Sequence, residues 1–193
     1  MGQVKAICVY CGSSSKAKSI YFEAAHALGT ALAARGWSLV YGGASCGLMG
    51  AVADATLSAG GKVIGVLPGF MEDRELAHTG ITELHIVSSM HERKAKMAAL
   101  ADGFIALPGG FGTLDEMFEV LTWAQINIHT KPCAFYNVAG FYDGLFTFLD
   151  HMASEGLLRP HHRELPLVHS ELEPLLDLIA THQGQHDDKW EQV

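Results

Sequence analysis

The feature that most constrains the fold is an alternation. Short, almost wholly apolar runs take turns with longer amphipathic stretches along nearly the entire chain. The apolar runs at 6–10, 38–41, 63–67, 85–87, 104–107, 133–136 and 166–168 predict strands. The stretches at 19–35, 48–59, 90–101, 114–128, 142–155 and 172–181 predict helices. A strand that is apolar on both faces belongs in a parallel sheet covered on both sides, because an antiparallel strand with one wet face would alternate. Strands that alternate with helices give a doubly wound α/β fold with helices on both faces. No linker or repeat breaks the pattern, and 193 residues suit a single domain, expected over 1–183. The polar segment 184–193 is expected to be a frayed tail.

In such folds ligands bind beyond the carboxyl ends of the strands. The residues just after each strand are therefore the ones to read. Behind Phe104, Ile105, Ala106 and Leu107 comes Pro108-Gly109-Gly110-Phe111-Gly112-Thr113, and a helix is expected to open at Leu114-Asp115-Glu116. Three glycines in four positions exceed what a plain turn needs. Glycine lets the backbone approach a ligand closely, and the unpaired N–H groups of a first helical turn suit a phosphate. Glu116 has two readings. Thr113-Leu114-Asp115-Glu116 fits a capping box, in which Thr113 and Glu116 satisfy each other's backbone groups. Alternatively, two carboxylates, Asp115 and Glu116, beside a phosphate dianion are electrostatically costly unless one of them has chemical work. The helix that follows is apolar on two sides, with Leu114, Met117, Phe118, Leu121 and Ile128 on one and Val120, Trp123 and Ile126 on the other. Burial on both sides makes one of them a candidate subunit interface.

Upstream, Met90-His91-Glu92-Arg93-Lys94 opens a helix whose apolar centre is Met90, Met97 and Ala101. Arg93 and Lys94 flank that face. Their stems could simply cover apolar surface, but two cations beside it also fit a partly buried anion, which an arginine grips with two prongs. A second glycine loop, Tyr41-Gly42-Gly43-Ala44-Ser45-Cys46-Gly47, also runs from strand to helix, and Gly12-Ser13-Ser14-Ser15 follows the first strand. The first of these does not match the dinucleotide fingerprint, and no acid ends the second strand to hold a ribose 2′-hydroxyl, whereas the serines could add hydroxyl donors at the same edge.

Other chemistries find less support. A net charge of −8 disfavours binding to nucleic-acid backbones. No apolar run approaches the ~20 residues of a membrane span, and the N-terminus lacks a signal-peptide pattern, so a cytoplasmic location is expected. Cys8 and Cys11 form a C-x-x-C, but Cys8 sits inside a strand pattern rather than at a helix start, which favours buried structural thiols over a redox pair. His161 and His162 are adjacent, in a stretch read as loop, and lack ligand spacing. Neither a metal nor a cofactor is expected.

Taken together, these segments resemble the LOG (Lonely Guy) family of cytokinin riboside 5′-monophosphate phosphoribohydrolases, long described as lysine decarboxylases. Residues 108–116 match the family's P-G-G-x-G-T-x-x-E signature, and residues 90–94 match its M-x-x-R-K segment. The likeness runs from about Val4 to Ile179 and includes Cys11-Gly12-Ser13-Ser14, Tyr41-Gly42-Gly43, Gly47-Leu48-Met49-Gly50 and Lys131-Pro132. Ala44 departs from the family, which commonly has a third glycine there. The resemblance implies a Rossmann-like homodimer that hydrolyses the N-glycosidic bond of AMP-like nucleotides. It implies catalytic roles for Arg93 and Glu116. It also implies substrate contacts from Glu75, Lys94, Gly110, Phe111, Gly112, Thr113, Leu114, Asp115 and Thr122. Nothing marks a Schiff-base lysine for a decarboxylase. The competing reading is a nucleotide-binding module without turnover, which could dispense with the acid.

Overall fold

In the computed structural model, residues 4–71 and 77–184 are described. Their strands are β1 (Ala6–Tyr10), β2 (Ser38–Tyr41), β3 (Val63–Pro68), β4 (Glu83–Val87), β5 (Gly103–Ala106), β6 (Cys133–Tyr136) and β7 (Pro166–His169). Every pairing between them is parallel, and they form one sheet in the order β4-β3-β2-β1-β5-β6-β7. The chain winds outward from β1 to β4, then crosses back and winds the other way from β5. The switch therefore falls between β1 and β5, where a doubly wound sheet opens its ligand crevice. Register brings the ends of these two strands level, with Tyr10 opposite Ala106.

The helices are α1 (Ser19–Ala34), α2 (Gly47–Ser58), α3 (Met90–Leu100), α4 (Phe111–Gln125), α5 (Asp143–Ser154), α6 (Pro160–Arg163) and α7 (Leu172–Thr181). Strand side chains alternate between faces, so Ile7 and Val9 join a core with α1, α2 and α7, while Cys8 and Tyr10 join one with α3, α4 and α5. All four are essentially inaccessible, which is why β1 reads as an unbroken apolar run. This two-sided burial bears out the expected fold class.

Three expectations need correction. First, α4 begins at Phe111 with Gly110 as its N-cap, and Leu114 N–H already donates to Gly110 O at 3.1 Å. Thr113 thus lies inside the first turn, Glu116 lies beyond it, and the capping-box reading of that pair fails. A related arrangement does occur at α3. There Ser89 Oγ accepts from Glu92 N–H, and the Glu92 carboxylate takes both the N–H and the hydroxyl of Ser88. Second, His161 and His162 lie on the one-turn helix α6, started by Pro160 at its first position, rather than in a loop. Third, α4 ends at Gln125, with Asn127 in a left-handed conformation (φ 59°), so Ile128 falls outside the helix.

Cys8 and Cys11 are buried free thiols whose pKa values are pushed up by desolvation, in keeping with a structural role. Among the described residues no helix is long and apolar enough to cross a membrane. The tail beyond Gly184 lies outside the described residues.

Candidate active site

The crevice at the β1–β5 switch is built from three loops. Gly12 N–H donates to Pro108 O at 3.1 Å, tying the loop after β1 to the loop after β5. Leu48 N–H donates to Gly12 O at 3.0 Å, tying in the loop after β2. Gly109 fits because it has no side chain. A Cβ there would lie 2.6 Å from Thr113 Cβ, closer than real Cβ contacts come, and 3.0 Å from Gly12 N, a tight contact. The result is a cleft of about 290 Å³ lined by Cys11, Gly12, Ser13, Met49, Arg93, Gly110, Phe111, Gly112, Thr113 and Glu116.

One wall is the start of α4. Among the described residues no side chain caps this end, and no acid lies in the first turn. Space is open where side chains at Gly110 and Gly112 would stand. The first N–H groups of a helix have no intrahelical acceptor and carry its positive dipole end, so this wall suits an anion. Phe111 stands almost fully exposed on the rim, at 94%.

The opposite wall is Arg93. Its side chain is nearly buried, and backbone carbonyls fix it. Nε donates to Val66 O and Nη2 to Gly42 O, each at 3.1 Å, so the guanidinium is tethered to β3 and to the residue just after β2. Its remaining prong, Nη1, lies 3.4 Å from Glu116 Oε1. Both partners are shielded, with side-chain exposures of 7% and 11%, so their attraction is screened less than that of a surface pair. A guanidinium with two of its three nitrogens committed to the fold cannot swing away. It holds a carboxylate at a set place in a cleft that also contains the first N–H groups of α4.

The other sequence-derived residues divide by direction. Consecutive helical residues point about 100° apart, so Lys94 leaves the cleft that Arg93 enters. Its Nζ pairs with Asp115 and Glu119, both at 3.1 Å. Desolvation pulls the Lys94 pKa down, but the two carboxylates outweigh it and hold the ammonium above its usual range. Asp115 likewise faces Lys94 instead of the cleft, and Leu114 packs against the core between the sheet and α3–α5. Thr122 lies six residues beyond Glu116, ~9 Å along the axis at ~1.5 Å per residue. Its hydroxyl donates to Phe118 O, and it lines a separate apolar groove with Leu121, Leu149 and Met152. Glu75 lies outside the described residues. The structure thus gathers Arg93, Glu116, Gly110, Phe111, Gly112 and Thr113, and leaves Lys94, Leu114, Asp115 and Thr122 outside the cleft. It adds Cys11 and Ser13, just after β1, and Met49, in the first turn of α2.

A protein-family profile described as "Possible lysine decarboxylase" matches residues 49–179. No lysine is among the described residues lining the cleft, so the amine that Schiff-base chemistry requires is not found there. Over 190 residues the chain is 45% identical to a rice (Oryza sativa subsp. japonica) protein named probable cytokinin riboside 5′-monophosphate phosphoribohydrolase LOGL2, covering 96% of this chain and 78% of that one. It is 44% identical over 192 residues to cytokinin riboside 5′-monophosphate phosphoribohydrolase LOG1 of Arabidopsis thaliana, covering 97% and 90%. Among solved structures, the molybdenum cofactor binding protein of the phototrophic bacterium Rippkaea orientalis aligns with a TM-score of 0.69 at 23% identity, over 91% of this chain and 94% of that one. That likeness speaks for the fold alone. The similarity to the plant proteins spans nearly the full length of this chain, and the chain belongs to the LOG family.

Proposed function

We propose that this chain is a phosphoribohydrolase that cleaves the N-glycosidic bond of adenosine 5′-monophosphates, N6-substituted cytokinin nucleotides included. The products are the free base and ribose 5-phosphate, as in an AMP-nucleosidase-like hydrolase. The observation that carries this reading is the tethered Arg93–Glu116 pair facing an uncapped helix N-terminus across one cleft. The phosphate sits on the N–H groups at Phe111, Gly112 and Thr113, and its binding energy positions the ribose. As the C1′–N9 bond breaks, its electron pair leaves with the base and positive charge develops on the sugar, as in glycoside cleavage. Glu116 offsets that charge and takes a proton from the water whose oxygen bonds to C1′, and one proton ends on the departed base, which leaves Glu116 ionised again. Arg93 keeps the carboxylate in place.

The reading is tested by incubating the protein with AMP and with N6-isopentenyl-AMP and quantifying free base and ribose 5-phosphate. Release of both products in equal amounts is expected. Binding of AMP with neither nucleotide consumed would make the protein a binding module instead.

The functional unit we propose is one domain over residues 1–183, active as a homodimer. The support is the outer side of α4, where Phe118 and Trp123 are half-buried, and just beyond it Ile126 and Ile128 are exposed at 36% and 63%. Sedimentation of a monomer at micromolar concentration would contradict the dimer.

A further inference from the structure

The glycine turn is only as well placed as its first carbonyl, and that carbonyl has an unusual partner. The ladder between β5 and β6 ends at Ala106 opposite Phe135, so Leu107 is the first residue past the sheet. Leu107 N–H still donates to Tyr10 O at 2.9 Å, but its fully buried carbonyl has left the strand pairing. A buried carbonyl needs a donor. The donor is the hydroxyl of Tyr142, at 2.6 Å, from a residue 35 positions later and itself only 2% exposed. Only Pro108 and Gly109 separate Leu107 from Gly110, the N-cap of α4.

Tyr142 is itself held from several sides. Its ring meets Phe135 and Phe141 edge-on, with centroids 4.9 Å away in each case. Its backbone N–H donates to Asn137 Oδ1 at 2.7 Å, and Asn137 Nδ2 in turn donates to Asp143 Oδ1 at 2.7 Å. The turn between Asn137 and Tyr142 puts Ala139 at φ 51°, a backbone conformation that a non-glycine residue adopts only when its surroundings demand it. Desolvation pushes the Tyr142 pKa up, so the phenol keeps the proton it donates.

We infer that Tyr142 is a positioning residue for the anion-binding turn, and that Asn137 acts through it. The inference rests on the proposed binding of the ribose phosphate at that turn. Tyr142 is not among the residues that line the cleft. It fixes the carbonyl from which Pro108, Gly109 and Gly110 depart, while the Gly12 N–H bond to Pro108 O fixes the same segment from β1. Without the hydroxyl, Leu107 O is left buried and unsatisfied, and the turn shifts to recover a donor.

The test measures ribose 5-phosphate binding by calorimetry, together with KM and kcat for AMP, in the unmodified protein, Tyr142→Phe, Asn137→Ala and Thr56→Val. Thr56 is a buried hydroxyl on α2, donating to Val52 O at 2.8 Å on the other side of the sheet, and serves as a control matched in kind. Tyr142→Phe should weaken ribose 5-phosphate binding and raise KM by about 2- to 12-fold, the range covered by one neutral hydrogen bond, with kcat within about twofold. Asn137→Ala should move the same constants in the same direction. Thr56→Val should lower the melting temperature and leave both constants alone. If Tyr142→Phe melts lower yet binds and turns over like the unmodified protein, the hydroxyl is merely structural and the inference is overturned. If the unmodified protein binds ribose 5-phosphate but hydrolyses no nucleotide, the proposed reaction fails, and the ratio of binding constants still decides the role of Tyr142.

Discussion

Arg93 gives the sharpest handle on the site, because its position depends on a residue that makes no substrate contact of its own. Gly42 directly follows β2, and its carbonyl accepts from the guanidinium. A Cβ at Gly42 would collide with Arg93 Nη2 and stand 3.3 Å from Cζ and 3.0 Å from Met49 Sδ. Gly42 is not among the glycines with positive φ, so alanine strains no backbone there and acts only through these contacts. In Gly42→Ala the guanidinium must therefore move. It gives up the 3.1 Å bond to Gly42 O and draws away from Glu116, whose 3.4 Å separation leaves little slack. A hydrogen bond from a charged donor contributes about 1.5–3 kcal/mol. If that energy is what aligns Arg93 and Glu116 for the reaction, kcat/KM should fall by about 10- to 150-fold. The assay is steady-state release of free base from N6-isopentenyl-AMP, paired with urea unfolding to establish that the variant is folded. A folded Gly42→Ala with unchanged kcat/KM would refute the claim that the carbonyl tether sets the geometry of the pair.

Two further predictions address the turn and the pH response. Gly109→Ala forces a Cβ against Thr113 and Gly12, so the loops after β1 and β5 separate; calorimetry should find ribose 5-phosphate binding reduced at least about tenfold, and unchanged binding would count against the turn as the phosphate site. His129 is held in its neutral form, since Nε2–H donates to Val120 O at 2.9 Å while Nδ1 accepts Lys131 N–H at 3.1 Å. Desolvation, followed by the charge of Lys131, pulls its pKa below the usual range, and His182 shifts the same way by desolvation. A base whose folded pKa is depressed binds fewer protons folded than unfolded, so its contribution to stability is present above the ordinary histidine pKa of about 6.5 and is lost as pH falls through it. Urea unfolding should find the protein less stable at about pH 5.5 than at about pH 7.5, with a shallower dependence in His129→Gln; equal slopes for the two proteins would contradict the assignment.

Much of this was legible in the sequence, and what was not has physical reasons. The strands could be read because a parallel sheet covered on both faces makes each one apolar throughout, as in Ile7, Cys8 and Val9. The glycine turn could be read because its backbone demands are unusual. The start of α4 could not be read. Thr113 and Glu116 have the spacing of a capping box, but Thr113 packs against Gly109 instead of capping, so tertiary contact decides where the helix begins. Nor could the partnership of Arg93 with Glu116. They are 23 residues apart and meet because the sheet order sets α3 beside α4. The same side-by-side packing turns Lys94 toward Asp115 and Glu119, a division of labour between neighbours that spacing alone leaves ambiguous. Tyr142 carried no signal at all, since its role depends on a carbonyl 35 residues earlier.

The central claim is that Glu116 performs chemistry in a cleft whose other parts bind the nucleotide. The most direct measurement compares the unmodified protein with Glu116→Gln, which keeps the size of the side chain and removes its charge. The account predicts that Glu116→Gln folds, binds ribose 5-phosphate with nearly unchanged affinity, and releases free base from AMP or N6-isopentenyl-AMP at least about 100-fold more slowly, the scale of a lost acid–base group. A Glu116→Gln protein that hydrolyses either nucleotide at the unmodified rate would contradict it.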